Sequence, residues 1–374
     1  MNNQKTYRWE WMAVIAYVAM VCTYLIFIRK WIPAVIDESA PAWFQNLITT
    51  IYPRLLIEKE RFDLAFFISK ADQVIFRLGL VSLLGLGFSI WMKKSQQFTQ
   101  QVKQFWGSRS SRKSIALLRK VYAAIMLLYL FDWYPSLLNV SRLSVFYEPI
   151  PLFNFLHIPL ATAGVMNSLV LIYVLSLIAL FFGKWSWQAS ILASLCFILF
   201  QGYFQCFGKV SHTFTPFIYA ALVFPFLMLE AQKSKRNSQK SIANWPLRLI
   251  QFAIAACYLF SGLEKLLISQ LAWLKPDTII DYIQLHQAPV GLWLLEYKWI
   301  VYFMPLGALF FQFGFISVVF QPKLKKLFLP MGLAFHWGTF FLLGVGWWIH
   351  PWQVAYLFFI DWAKVPVFKN LKLN

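Results

Sequence analysis

The sequence predicts an all-α fold: a polytopic integral membrane bundle of about nine transmembrane helices, in a single membrane domain over residues 1–374. Three observations predict it. Hydrophobic residues make up 60% of the chain and charged residues 13%, where a soluble globular domain has about 45–50% and about 25%. Apolar runs long enough for a helix across roughly 30 Å of hydrocarbon recur along the chain. Basic residues collect in some of the loops between those runs and avoid others, which is the bias that orients membrane proteins. Together these exclude a soluble enzyme, a secreted disulfide scaffold and a disordered chain.

The first run, Trp11–Ile28, is followed by Arg29 and Lys30. No small-residue cleavage motif follows it, so it reads as a retained span and not as a signal peptide. Residues 31–73 are broken by Pro33, Pro41 and Pro53 and carry the charged stretch Glu58-Lys59-Glu60-Arg61. They read as an outer loop with one or two short interfacial helices. The remaining runs are Val74–Met92, Ile115–Leu130, Val165–Phe182, Ser190–Cys206, Phe214–Leu229, Leu247–Ile268, Trp299–Phe320 and Leu327–Gly346. Val354–Ile360 is too short to span, while Trp347–Trp362 as a whole is open between a tenth span and a re-entrant piece.

Orientation follows from the loops. The net charge of +19 sits chiefly in 93–114, 231–246 and 321–326, which read as cytoplasmic. Residues 131–164 hold Arg142 as their one basic residue, and 207–213 and 269–298 complete the outer side. The N-terminus then falls in the cytoplasm of an inner (plasma) membrane. The loop 29–73 is a misfit, with six basic residues on the outer side, but it is long and carries as many acids. Long loops follow the rule weakly. The basic residues form no stripe interleaved with exposed aromatics, so a lipid bilayer and not nucleic acid is the expected partner.

Cys22, Cys196, Cys206 and Cys257 lie in or beside apolar runs without a CxxC pair and read as small hydrophobes. The five His form no metal-binding spacing, and no GxSxG or phosphate-cradling glycine loop occurs. No internal repeat is visible, which argues against a transporter.

An ionisable group inside a span costs about 2.5–3.5 kcal/mol on insertion scales and needs an account. Snorkelling to the headgroups accounts for Arg77 and Glu230. Glu264 and Lys265 lie in Tyr258-Leu259-Phe260-Ser261-Gly262-Leu263-Glu264-Lys265-Leu266, near the outer end of their run. Adjacent helical residues point about 100° apart, so the two face different surroundings. The small Ser261 and Gly262 let a neighbouring helix come close. For Lys265 two readings stand: an amine snorkelling to the interface beside a partnered Glu264, or a desolvated amine, which in general can act as a base near neutral pH. His212, where the sixth run begins, falls at the same outer end and reads either as a hydrogen-bonded interface residue or as a second functional group. His336, in mid-run, reads either as a satisfied interior His or as a functional one.

These segments resemble the membrane domain of the vitamin K-dependent γ-glutamyl carboxylases and of their bacterial relatives, the horizontally transferred transmembrane domain proteins. Trp245-Pro246-Leu247-Arg248, the segment Tyr258–Leu266 and Trp273 carry the likeness, with Ser211-His212-Thr213 and Gly332-Leu333-Ala334-Phe335-His336 in the expected order. The match is firmest over 205–362. It implies a bacterial member without the family's large extracytoplasmic domain. It further implies that Lys265 is the base toward a reduced naphthoquinone and His212 its accessory residue. Ser261, Gly262, Glu264 and His336 would be supporting residues, with no metal. Glu264 stands where the carboxylases have a second lysine. Two function classes follow: a quinone-dependent enzyme at the outer face, or a non-enzymatic membrane helper in the maturation, export or immunity of a secreted peptide. A gene for a small secreted peptide beside this one would favour the second.

Overall fold

A computed structural model describes residues 8–52, 54–207, 211–269, 273–347 and 349–371, without the side chains of 8–11, 13, 80, 84, 88, 91–94, 268 and 269. The described residues are all-α apart from two three-residue strands. In order, the elements are α1 (Arg8–Thr23), α2 (Arg29–Ile36), α3 (Ala42–Ile51), α4 (Leu55–Glu58), α5 (Leu64–Lys94), α6 (Gln96–Gly107), β1 (Arg109–Ser111) and α7 (Arg112–Val140). Then come α8 (Pro151–Phe155), α9 (Ala163–Phe182), α10 (Ser186–Gln205), α11 (Thr215–Arg236), β2 (Ser241–Ala243) and α12 (Trp245–Ser269). The last are α13 (Asp277–His286), α14 (Pro289–Leu294), α15 (Lys298–Gly314), α16 (Ser317–Phe320), α17 (Lys325–Leu343), α18 (Pro351–Val354) and α19 (Pro366–Lys369).

Among the described residues, 8 helical stretches are long and apolar enough to cross a membrane. They account for every expected span except Val74–Met92. That run lies inside the 31-residue α5, and several of its side chains fall outside the described residues. The first span runs further than its apolar composition suggests. A π-helical turn, Tyr24–Ile28, joins α1 to α2, and the helix continues past Arg29 and Lys30 to Ile36 with Pro33 inside it. The two cations therefore sit within a helix and do not end one.

The chain forms two compact units, residues 1–100 with 149–159, and residues 101–148 with 160–374. In the first, α1 and α2 pack on α5. Gly79 of α5 has no Cβ where the Tyr17 ring comes against it. The Tyr24 hydroxyl donates to Asp72 at 2.6 Å, and Arg29 pairs with the same carboxylate at 3.2 Å. The expected outer loop 31–73 holds α3 and α4, which pack with Val35, Leu55 and Phe67 into a small apolar cluster.

The second unit is built on α7, α9, α10, α11 and α12, packed in that order. Its elements begin and end where local chemistry asks. Ser111 caps α7 by accepting from Ser114 N, and Thr162 caps α9 by accepting from Val165 N. Gly183 ends α9 at φ 79°, a left-handed conformation that costs glycine little. Large aromatics fill the interior. Tyr122 stacks on Phe224 at 4.3 Å, and Trp133 sits edge-on to Tyr173, Phe197 and Phe200. Small residues set the closest approaches. Gly262 of α12 faces Gln312 and Phe313 of α15, and Gly291 of α14 sits against the Leu342 carbonyl of α17.

Two of the basic loops, 93–114 and 231–246, are joined at one end of this unit. Strand β1 pairs antiparallel with β2, with Ser110 opposite Ile242. Arg109 braces the pair by donating to the Ser241 hydroxyl, the Gln239 side chain and the Ser241 carbonyl, each at 2.8 Å. Arg112, at the start of α7, reaches the Ser234 carbonyl near the end of α11. The starts of α11 and the ends of α7 and α12 therefore lie at the opposite end.

The segment after α17 is not a tenth long helix. It is α18, a 3-10 turn over Ala355–Phe359, a second over Trp362–Lys364, and then α19. It runs through the unit, from Trp352, whose indole N–H donates to the His212 carbonyl, to Lys369, whose carbonyl accepts from Lys113. Irregular backbone at such depth survives only inside protein with its polar groups satisfied. Here Gln251 donates to the Phe358 carbonyl at 2.6 Å, Lys325 to that of Phe359 at 3.3 Å and the Trp362 indole to that of Leu357 at 3.0 Å.

Candidate functional site

One face of α12 carries a polar stripe along its length. Asn244, Arg248, Gln251, Tyr258, Ser261 and Lys265 recur at three-, four- and seven-residue steps, which keeps them on one side of a helix. Arg248, near the ribbon end, donates to the Ser108 hydroxyl and to Gln251, both at 2.8 Å. Further along the face lie the residues singled out in the sequence.

Lys265 is half-buried and donates to the Ser261 hydroxyl, one turn back, at 3.0 Å. Gln312 of α15 donates to the same oxygen at 3.2 Å. The Trp273 ring lies 5.2 Å from the Lys265 amine, within cation–π reach. Gly262 is buried and brings α15 close enough for this contact. Glu264 points elsewhere and is exposed, as the 100° step between neighbours requires. Two polar atoms around Lys265 are buried without a partner among the described residues: Gln312 Oε1 and Trp273 Nε1. A native interior leaves few such groups.

Tyr258 lies two turns back along the same face. Its hydroxyl shares a 2.7 Å hydrogen bond with His336 Nε2 on α17 and a 2.9 Å bond with the Tyr356 hydroxyl. The His336 ring stacks on that of His350 at 5.5 Å and 13°. Gly332 on α17 leaves the space that the Tyr356 hydroxyl occupies. Trp352 packs on Tyr258 at 5.3 Å, and Phe311 and Phe315 close the cluster. Burial pushes the His350 imidazole down to about 4, with His212 adding a like charge, so it is neutral near pH 7.

His212 belongs to this end through its carbonyl, which accepts from Trp352 at 3.1 Å, and through its electrostatic effect on His350. The residues Gly208–Val210 just before it lie outside the described ones. The predicted residues thus fall into two groups. Lys265, Ser261 and Gly262 meet Gln312 and Trp273; His336 meets His350, Tyr258 and Tyr356, while the exposed His212 reaches this cluster through its carbonyl on Trp352. The α12 face joins the groups through Tyr258 and Ser261. Among the described residues no cluster of His, Cys, Asp and Glu has metal-binding geometry.

Sequence reasoning passed over Tyr258, Tyr356, His350 and Gln312. A polar-face count along α12 would have flagged Tyr258 beside Ser261 and Lys265. Nothing local marks Tyr356, which sits in an irregular stretch between apolar neighbours. Set against known proteins, the chain matches no family, no curated protein and no solved structure.

The arrangement defines a multi-pass membrane protein with a polar seam inside its second unit. At one point of the seam a lysine amine rests on a hydroxyl; at another, two histidines and two tyrosines form a buried cluster.

Proposed function

We propose that the chain is a quinone-dependent membrane enzyme resembling the vitamin K-dependent carboxylases, with Lys265 as its base. The observation that carries the proposal is the Lys265 amine, held on Ser261 beside two buried polar atoms that lack partners among the described residues. A reduced naphthoquinone is flat and apolar and carries two hydroxyls. The residues here suit it: the Trp273 ring offers a wall, Gln312 Oε1 an acceptor and Trp273 Nε1 a donor. When bound, the hydroquinone would supply the reducing equivalents and the acidic hydroxyl.

The roles of the chain's own groups follow. Lys265 Nζ, when neutral, takes up the proton, and Ser261 Oγ holds the nitrogen in place in either charge state. Gln312 fixes the Ser261 hydroxyl from the other side. Trp273 keeps water from the amine. His212 is the accessory residue at the same end of the unit, with the neutral His350 beside it. The basic loops at the ribbon end favour a cytoplasmic position for that end and an outer-face position for Lys265 in an inner membrane, with the N-terminus in the cytoplasm.

Oxygen uptake by the purified, detergent-solubilised chain with a reduced naphthoquinone tests the proposal. Uptake above the enzyme-free rate that falls by about 10²-fold or more in Lys265→Ala, the loss expected of a general base, is the expected result. No uptake by protein that elutes as a single folded species overturns it and favours the helper in maturation, export or immunity of a secreted peptide.

A further inference from the structure

Four helix ends gather at the ribbon end of the second unit: the starts of α7 and α10 and the ends of α9 and α11. They enclose a cavity of about 750 Å3. Arg112, Lys113, Arg119 and Lys235 line it together with Ser186 and Gln188, and among the described residues no carboxylate does. We propose that this cavity binds a phosphate group, carried by an anionic lipid headgroup or by a free phosphate ester.

Arg119 carries the argument furthest. It lies seven residues into α7, about 10 Å along the axis from the helix start. Snorkelling accounts for a cation at a helix end but less well for one at this depth. Its Nη1 donates to the Ser186 hydroxyl at 2.9 Å, while its Nε is buried with no partner among the described residues. The space is made for it, because a Cβ on Gly183 would collide with the guanidinium, and Gly183 has none. A guanidinium presents its N–H groups as a planar fork suited to phosphate oxygens.

The neighbours complete the site. Ser186 opens the 20-residue α10, whose first N–H groups have no side-chain cap. Such a helix start favours an anion through its dipole and its unsatisfied N–H groups. The residue before it, Trp185, is held at φ 45° and is 77% exposed, in the manner of an interfacial tryptophan. Phe182, Trp187 and Met228 supply apolar walls beside the cations. A lipid would use those walls for its acyl chains; a free ester would not.

The test is native mass spectrometry of the full chain in detergent, titrated with phosphatidylglycerol, phosphatidylcholine or glycerol phosphate. The expected result is retention of phosphatidylglycerol about tenfold above phosphatidylcholine, lost by about tenfold in Arg119→Gln, the scale of one charge-assisted hydrogen bond. Lys235 is exposed, so Lys235→Gln leaves folding intact and is expected to weaken retention several-fold; it decides the matter if Arg119→Gln does not fold. Saturable binding of glycerol phosphate that depends on Arg119, with the two lipids retained alike, assigns the site to a free ester. Equal retention of both lipids without glycerol phosphate binding, or retention unchanged in both variants, overturns the proposal.

Discussion

The hydroxyl of Tyr258 lies 2.7 Å from Nε2 of His336, joining two spans inside the second unit. Both residues are buried, Tyr258 at 4% and His336 at 8% exposure. The same hydroxyl also meets Tyr356, so one oxygen ties α12, α17 and the irregular segment together.

Tyr258→Phe removes that oxygen and leaves His336 and Tyr356 each short of a partner in the interior. The expected cost is about 1–3 kcal/mol. Thermal unfolding in detergent should show a melting point lower by a few degrees. A variant that melts with the wild type would mean that water or another group takes up both partners.

Stability should fall in mild acid because of His350. Its imidazole sits at about 4 in the folded chain and near 6.5 in the unfolded one. Above about pH 6.5 both states are neutral there and the stabilisation is complete. As the pH drops toward 4 the unfolded chain takes up a proton that the folded chain refuses, and stability is lost on the order of 2 kcal/mol. Melting curves from pH 7.5 to 4.5 check this against His350→Gln. Curves that shift equally with pH in both proteins would rule out His350 as the source.

Cysteines placed at Ser110 and Ile242, which face each other across the ribbon, should cross-link on mild oxidation in a variant lacking the four native cysteines. Single cysteines at the exposed Gln104 and Lys240, in the same two basic loops, should react with a membrane-impermeant thiol reagent from the same side of the bilayer. Labelling from opposite sides would break the expected topology.

Much of the fold is legible in the sequence, because apolar length is a strong signal and lipid punishes exceptions to it. The spans over α7, α9, α10, α11, α12, α15 and α17 all lie where the apolar runs put them. Their ends are less legible. Helix α11 continues about two turns past Leu229 into Lys233, Lys235 and Arg236, since polar residues that favour helices extend a span into water at little cost. The ribbon is silent in sequence: three-residue strands in polar loops show no period. At the site, Lys265, Ser261 and His336 stand out because charge or polarity is rare at membrane depth. His350 and Tyr356 do not, because their partners lie far away in sequence and only packing brings them together.

The ribbon carries a further consequence. Between β1 and β2 the chain makes four crossings, α7, α9, α10 and α11. An even number returns it to the side it left, and an odd number would strand the two partners on opposite faces of the membrane. Pairing over a gap of 132 residues thus works as a parity check on insertion. It also sets a time: β1 leaves the ribosome early and has no mate until all four helices have been threaded and β2 has emerged. A chain stalled with one helix uninserted would carry Arg109 and its neighbours unpaired.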